Sequence, residues 1–324
     1  MNLILTIFLP PPPLIVLVIP CFNEEEALEK NINIFKHKLE ELKNKNLIHE
    51  NSFLLFIDDG SFDKTPLLLE NAIDSNTKAI ILSRNRGHQN ALLAGLEFAC
   101  NKCDCAISID CDLQQDINKL EDFIHAFNEG NEIVFGVRKD RKSDGIFKKF
   151  SALFFYKIMR IFGVDIISNH ADYRLLSNKA LNFLMQYREV NLFLRGIFLE
   201  LGLKHSIVYF DVKDRELGVS KYNLSKMISL ALNGITSFSV TPLRLIVAFG
   251  FLISIGSACF GIYAFLVFLN GKAISGWAST IIPIYFIGGI QMLSIGIIGE
   301  YIGKIYKETK NRPRYLIDRV LESK

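Results

Sequence analysis

Two aspartates one residue apart, Asp110 and Asp112 in IDCDLQQD (109–116), directly follow a short apolar run, CAISI (105–109). Alternate residues of a strand share a face, so both carboxylates leave the strand end on one side and can reach one point. Such a pair suits a cation. Hard divalent ions such as Mg2+ are held by one or two carboxylates together with substrate phosphates, so the stretch is a candidate site for a metal carrying a phosphorylated ligand. An acidic turn capping the helix that begins near Asp116 would account for the same residues without any chemistry.

The elements around the pair favour a site. Apolar runs at 14–19, 53–57, 79–83, 105–109 and 132–137 read as strands, and the stretches 24–43, 64–75, 88–101 and 116–129 between them read as helices. That alternation predicts a mostly parallel sheet covered by helices, which binds ligands at the carboxyl ends of its strands. Those ends carry PCFNEEE, DDGSFDKT, RNRGHQN and DCDLQQD in turn. One such loop is a helix cap; four on one rim make a site. Acidic loops repel phosphate unless a divalent ion lies between them, and no Walker-type G-K-[ST] loop is present, which excludes a P-loop enzyme.

The 324 residues are 50% hydrophobic with a mean hydropathy of +0.25, and the apolar excess is local. No charged residue occurs from Leu245 to Leu269 or from Ala273 to Gly299. Each run exceeds the roughly 20 residues that cross a bilayer core, so two transmembrane helices are expected at about 245–269 and 277–300. Lys221, Lys226 and Arg244 precede the first, and Lys304, Lys307, Lys310, Arg312 and Arg314 follow the second. Basic flanks face the cytoplasm, which predicts a multi-pass protein of the inner (cytoplasmic) membrane with catalytic domain and C-terminus cytoplasmic. The net charge of +3 gives no reason to expect nucleic acid as a partner.

The first 13 residues have no basic start and no cleavage site, and read as a leader rather than a signal peptide. The six cysteines lack zinc spacing and read as buried reduced thiols. Two segments, 145–162 and 220–239, interleave aromatic and aliphatic side chains with Lys and Arg, a pattern for helices in the headgroup plane or for core packing with a solvated basic face. Gly299 and Gly303 form a small-xxx-small pair compatible with packing within the hairpin or between copies in a homo-oligomer.

The stretches VIPCFNEEE, IDDGSFDKT, LSRNRGHQNALLAGL, SIDCDLQQD, VFGVRKDR, NHADYRLLSNKAL, LRGIF and DRELGVSKYNLSKM, followed by a two-span hairpin, resemble bacterial polyisoprenyl-phosphate glycosyltransferases. These are relatives of dolichyl-phosphate mannose synthase within glycosyltransferase family 2. The resemblance implies an α/β GT-A catalytic domain at 14–219, an interfacial helix at 220–240, two transmembrane helices within 241–303 and a cytoplasmic tail at 304–324. It implies a UDP-sugar donor, Mg2+ or Mn2+, and a polyisoprenyl phosphate acceptor in the membrane.

Residue by residue, it places the nucleotide sugar near Pro20, Asn23, Glu24, Asp58, Asp59, Arg84, Gly87, His88 and Asp110, and the metal on Asp110, Asp112 and Gln114. Arg138 would hold the acceptor phosphate with Lys149, Ser151, Arg215 and Lys221. Asp172 would be catalytic with Asp112 and Arg138. A lipid monophosphate is already mostly ionised at pH 7, so Asp172 is expected to orient acceptor or sugar, or to assist the last deprotonation. The run LQQDIN lacks the D-P pair of such relatives, so Gln115 is expected to alter sugar contacts.

The expected reaction is inverting transfer of a sugar, glucose first among the candidates, from a UDP-sugar to undecaprenyl phosphate. Mannose, N-acetylhexosamine or an aminoarabinose-type sugar is the alternative. A processive polysaccharide synthase would carry a Q-x-x-R-W motif, yet the single tryptophan, Trp277, lies in the hairpin. A non-catalytic nucleotide-sugar-binding subunit would have no need of both aspartates and the basic acceptor residues.

Overall fold

The computed structural model describes residues 11–139, 167, 169–190, 192–212, 235–236, 239–270 and 277–323. The chain forms two units: Met1–Tyr156, Ile166–Tyr222 and Pro313–Lys324 make the first, Lys157–Asp165 and Asn223–Arg312 the second.

In the first unit the five expected strands form as β1 (Ile15–Cys21), β2 (Phe53–Asp58), β3 (Thr77–Leu82), β4 (Cys105–Ser108) and β5 (Ile133–Arg138). β1 and β2 are buried along their whole length, as continuous apolar strands covered on both faces must be. The helices between them are α1 (Leu28–Asn44), α2 (Thr65–Ala72), α3 (His88–Ala99) and α4 (Leu120–Asn128). α1 buries Leu28, Ile32, Phe35, Leu39 and Leu42, one stripe at three- and four-residue spacing. α3 lies so close to the sheet that a Cβ on Gly95 would come within 2.4 Å of Val18 and 2.6 Å of Ile57.

Three further strands complete the sheet: β6 (His170–Ser177), β7 (His205–Phe210) and β8 (Ile317–Leu321). The order is β7-β5-β6-β4-β1-β2-β3-β8. β1 pairs parallel with both β2 and β4, so the chain reverses its direction of winding at the β1/β4 crevice, where sheets of this kind bind ligands. β6 runs antiparallel between β4 and β5. Its register sets Arg174 opposite Ser108, and two residues further along Asp172 comes level with Asp110. Two short helices, α5 (Asn178–Leu184) and α6 (Leu194–Glu200), follow β6.

The stretch read as a tail contributes β8, antiparallel to β3. Ser83 N–H donates to the Leu316 carbonyl at 2.9 Å, and Arg319 pairs with Glu70, Tyr315 with Glu97. The charged, exposed β8 covers what would otherwise be a bare sheet edge.

The second unit holds α7 (Thr241–Leu269) and α8 (Trp277–Thr309). Both are long and apolar enough to cross a membrane, and the most apolar stretch of each is unburied. Phe251, Phe286 and Met292 are 66%, 65% and 68% exposed, which a pair of soluble-core helices would not show. The Tyr301 hydroxyl donates to the Ser239 carbonyl at 2.6 Å. The two basic amphipathic segments lie outside the described residues, except for Ile235, Thr236 and Ser239 of the second.

Candidate active site

The loops at the carboxyl ends of β1, β2 and β3 are stitched to one another. Asn23 adopts a left-handed φ of 51°, donates its N–H to Ser61 Oγ at 2.9 Å and accepts from the Phe62 N–H at 3.0 Å. The Glu24 N–H donates to Thr65 Oγ1 at 3.0 Å, and Glu25 accepts from the Lys64 N–H at 3.0 Å. Asp58 accepts from the Ser61 hydroxyl and N–H, while Asp59 accepts from the N–H groups of Arg86 and Gly87 at 2.7 and 2.8 Å. Asp58 and Asp59 are 0% and 3% exposed, and burial raises both carboxyls.

These two aspartates and Asn23 therefore build the rim, shaping the backbone that a nucleotide would meet. Pro20 is buried within β1, whereas Arg84 and His88 are exposed at the mouth. Gly60, at φ +66°, is required where the β2 loop passes the β3 loop: a Cβ there would lie 2.5–2.7 Å from the Arg84 and Asn85 backbone.

The D-x-D turn is braced from three sides. Asn31 of α1 donates to the Cys111 carbonyl at 2.9 Å, and the Tyr173 hydroxyl donates to the Asp116 carbonyl at 3.3 Å. Gln115, expected near the sugar, is 2% exposed and instead holds Asp110: its Oε1 accepts the Asp110 N–H at 3.0 Å and its Nε2 donates to Asp110 Oδ2 at 2.6 Å. The Gln114 N–H donates to Asp112 Oδ1 at 3.2 Å. Burial raises the Asp110 carboxyl against the pull of His88, and the negative charges of Asp172 and Asp112 raise it further. Among the described residues no three His, Cys, Asp or Glu side chains are grouped as a metal cage. The crowded carboxylates Asp110 and Asp112 fit a hard cation completed by oxygens from a substrate.

Beside Asp110 stands a group in which two members, Arg174 and Arg195, went unassigned from sequence. Asp172 Oδ1 accepts from Arg174 Nη2 at 2.5 Å, and Oδ2 accepts from Arg195 Nη2 at 3.1 Å. Arg174 is wholly buried, with its guanidinium 4.5 Å from the Phe198 ring centre. His88 Nε2 lies 3.6 Å from Asp172 Oδ2 and 3.7 Å from Asp110 Oδ1. Gln89, next to it, accepts the Leu194 N–H at 2.9 Å and so ties α6 to the first turn of α3.

Burial pushes the Asp172 carboxyl up, but the Arg195 and Arg174 guanidiniums outweigh it and, with His88, hold it well below the usual carboxylate range. A carboxylate so strongly ionised is a poor proton acceptor. The signal for Arg174 was a cation directly before the apolar pair Leu175 and Leu176, two residues from Asp172 and therefore on its face.

Arg138 ends β5 half-buried, its charge felt at Asp110, and its Nε has no hydrogen-bond partner among the described residues. Lys149, Ser151, Arg215 and Lys221 lie outside the described residues. Cys21, Cys103, Cys105 and Cys111 are buried free thiols; burial pushes Cys103 up to about 12, far from thiolate chemistry.

A rim of this kind at the β1/β4 crevice of a mixed sheet, with its aspartate pair at the end of β4, is the arrangement of a glycosyltransferase of GT-A-like fold. Residues 16–185 match the Glycosyl transferase family 2 domain, and the chain belongs to that family. It is 48% identical over 308 residues to the "Uncharacterized glycosyltransferase YkoT" of Bacillus subtilis, covering 94% of this chain and 91% of that protein. It is 38% identical to the "Bactoprenol glucosyl transferase" of Shigella phage SfX, covering 93% and 97%. Among solved structures it is similar to glucosyl-3-phosphoglycerate synthase from Mycobacterium tuberculosis in complex with Mn2+ and UDP-glucose, at 18% identity and a TM-score of 0.45, covering 69% and 78%.

Proposed function

We propose that this enzyme transfers a single sugar, glucose in the first instance, from a UDP-sugar to a polyprenyl phosphate of the bactoprenol type at the cytoplasmic face of the membrane. The observation that carries this reading is the opposition of charge on one rim: carboxylates Asp110 and Asp112 at the end of β4, and at the end of β5 the cation Arg138, whose charge is felt at Asp110 and whose Nε has no partner among the described residues. A bactoprenol glucosyl transferase at 38% identity over almost the whole of both chains supports lipid phosphate as acceptor.

In this mechanism Asp110 and Asp112 would hold Mg2+ or Mn2+, which when bound supplies Lewis-acid stabilisation of the departing diphosphate. Arg138 binds the acceptor phosphate and aims one ionised oxygen at the anomeric carbon, from the side opposite the leaving group. The bond from that oxygen to carbon forms as the bond from carbon to the diphosphate breaks, and the anomeric configuration inverts. No proton need leave a phosphate already ionised at neutral pH. Asp172, clamped by Arg174 and Arg195, fixes the wall against which sugar and acceptor meet.

The unburied apolar helices α7 and α8 are read as crossing the bilayer, with Lys304, Lys307, Lys310, Arg312 and Arg314 on the cytoplasmic side. Incubating membranes that contain the enzyme with undecaprenyl phosphate, Mn2+ and a panel of labelled nucleotide sugars tests the reading. UDP-glucose should label the lipid fraction; label entering lipid from another sugar alone would replace glucose, and no lipid label at all would sink the acceptor assignment.

A further inference from the structure

We propose that Gln115 is a positioning residue that locks Asp110 in the orientation in which it meets the donor, and that it must be a neutral amide to do so. The inference rests on reading this rim as the nucleotide-sugar site.

Glutamine is seldom fully buried, yet Gln115 is 2% exposed and both ends of its amide are spent on one residue. Its oxygen takes the Asp110 N–H and its nitrogen gives a 2.6 Å bond to Asp110 Oδ2, closing a ring across the turn. The chain bends to permit this: Leu113, between them, sits at a left-handed φ of 54°, a conformation uncommon for a residue with a Cβ. Asn31, itself 7% exposed, grips the Cys111 carbonyl from the other side at 2.9 Å. The turn is thus held from both sides.

Two consequences follow from hydrogen-bonding capacity. Oδ2 spends one lone pair on Gln115, which turns Oδ1, the oxygen that faces His88 at 3.7 Å, toward a ligand as the less committed atom. A neutral amide of this length donates to the carboxylate and accepts the N–H at once; an ionised glutamate in the same place accepts but cannot donate, and sets a second negative charge against Asp110. A residue of the right length and the wrong protonation should therefore fail. A filler of space would tolerate either.

The test uses full-length enzyme in detergent, comparing wild type with Gln115→Leu and Gln115→Glu. Amide hydrogen exchange is followed on the peptide covering 109–116, and binding of UDP and of GDP, each with Mn2+, is measured by calorimetry. Gln115→Leu should speed exchange at Asp110 by about tenfold or more and weaken the nucleotide that wild type binds by about 10- to 100-fold, the range for a lost hydrogen bond to a charged group. Gln115→Glu should weaken binding at least as much at pH 7.5. Wild-type affinity in Gln115→Glu, or a lower melting temperature in Gln115→Leu with unchanged affinity, would overturn the positioning role. Unchanged exchange at Asp110 in Gln115→Leu would refute the bracket whatever the site binds, whereas a wild type that binds neither nucleotide refutes the donor site itself.

Discussion

Replacing Asp172 by asparagine keeps its size and removes its charge, and the cost should fall on folding before it falls on chemistry. Arg174 is 0% exposed, and its Nε and Nη1 have no partner among the described residues. Its charge is met by Asp172 Oδ1 at 2.5 Å, by the Ala171 carbonyl at 3.1 Å and by the Phe198 ring. Taking one member from a buried pair leaves an uncompensated charge and costs about 3–5 kcal/mol. Arg195, 24% exposed at its side chain, is better solvated and adds less. For a domain of this size each kcal/mol moves the melting temperature by about 2–4 °C, so Asp172→Asn should melt about 6–20 °C lower. Thermal unfolding of the purified enzyme, followed together with turnover per folded molecule, measures this. Adding Arg174→Met removes the stranded cation and should restore much of the lost temperature. If Asp172→Asn melted with the wild type while turnover vanished, the charge of Asp172 would serve the reaction and not the fold, and the buried clamp would be refuted.

Other consequences are independent of that cluster. Gly60→Ala places a methyl 2.5–2.7 Å from the Arg84 and Asn85 backbone at a φ of +66°, and should destabilise by about 1–3 kcal/mol or more and loosen the nucleotide rim, read as a lower melting temperature and weaker UDP binding. Asp112→Ala should weaken metal-dependent nucleotide binding, whereas Arg138→Ala should leave it nearly intact and abolish transfer; equal loss of both in Arg138→Ala would contradict the two-sided site. His170 is held neutral, its proton affinity lowered by burial and by Arg174 and Arg195. The unfolded chain takes up that proton near pH 6.5 and the folded one does not, so the stability from this group falls as pH drops below about 6.5. His170→Gln should flatten that slope in chemical denaturation between pH 7.5 and 5.5.

The sequence carried the parallel half of the sheet because each buried strand is a continuous apolar run between polar loops. β6 escaped the same reading: HADYRLLS holds His170, Asp172 and Arg174, and its burial depends on Asp172 and Arg174 neutralising each other, a relation between side chains that no pattern of hydropathy contains. β8 escaped for the opposite reason. IDRVL is an exposed edge strand whose pairing with β3 lies more than two hundred residues away in the chain, and its charges read as a tail. At the site, residue types located the rim correctly while leaving direction open. Asp58 and Asp59 turn inward to hold backbone N–H groups, as buried carboxylates beside tight turns can, and Gln115 turns to Asp110 rather than outward.

The central claim is transfer of one sugar to a lipid phosphate by a single displacement, and the structure of the product tests it most directly. UDP-glucose carrying carbon-13 at its anomeric carbon, incubated with the full-length enzyme, Mn2+ and a polyprenyl phosphate, should yield a lipid fraction with one glucose joined through a phosphodiester. Its anomeric NMR signals should report the β configuration, inverted from the α-linked donor. A polymer, a water-soluble glucoside as the main product, or an α-linked lipid phosphate would contradict the account.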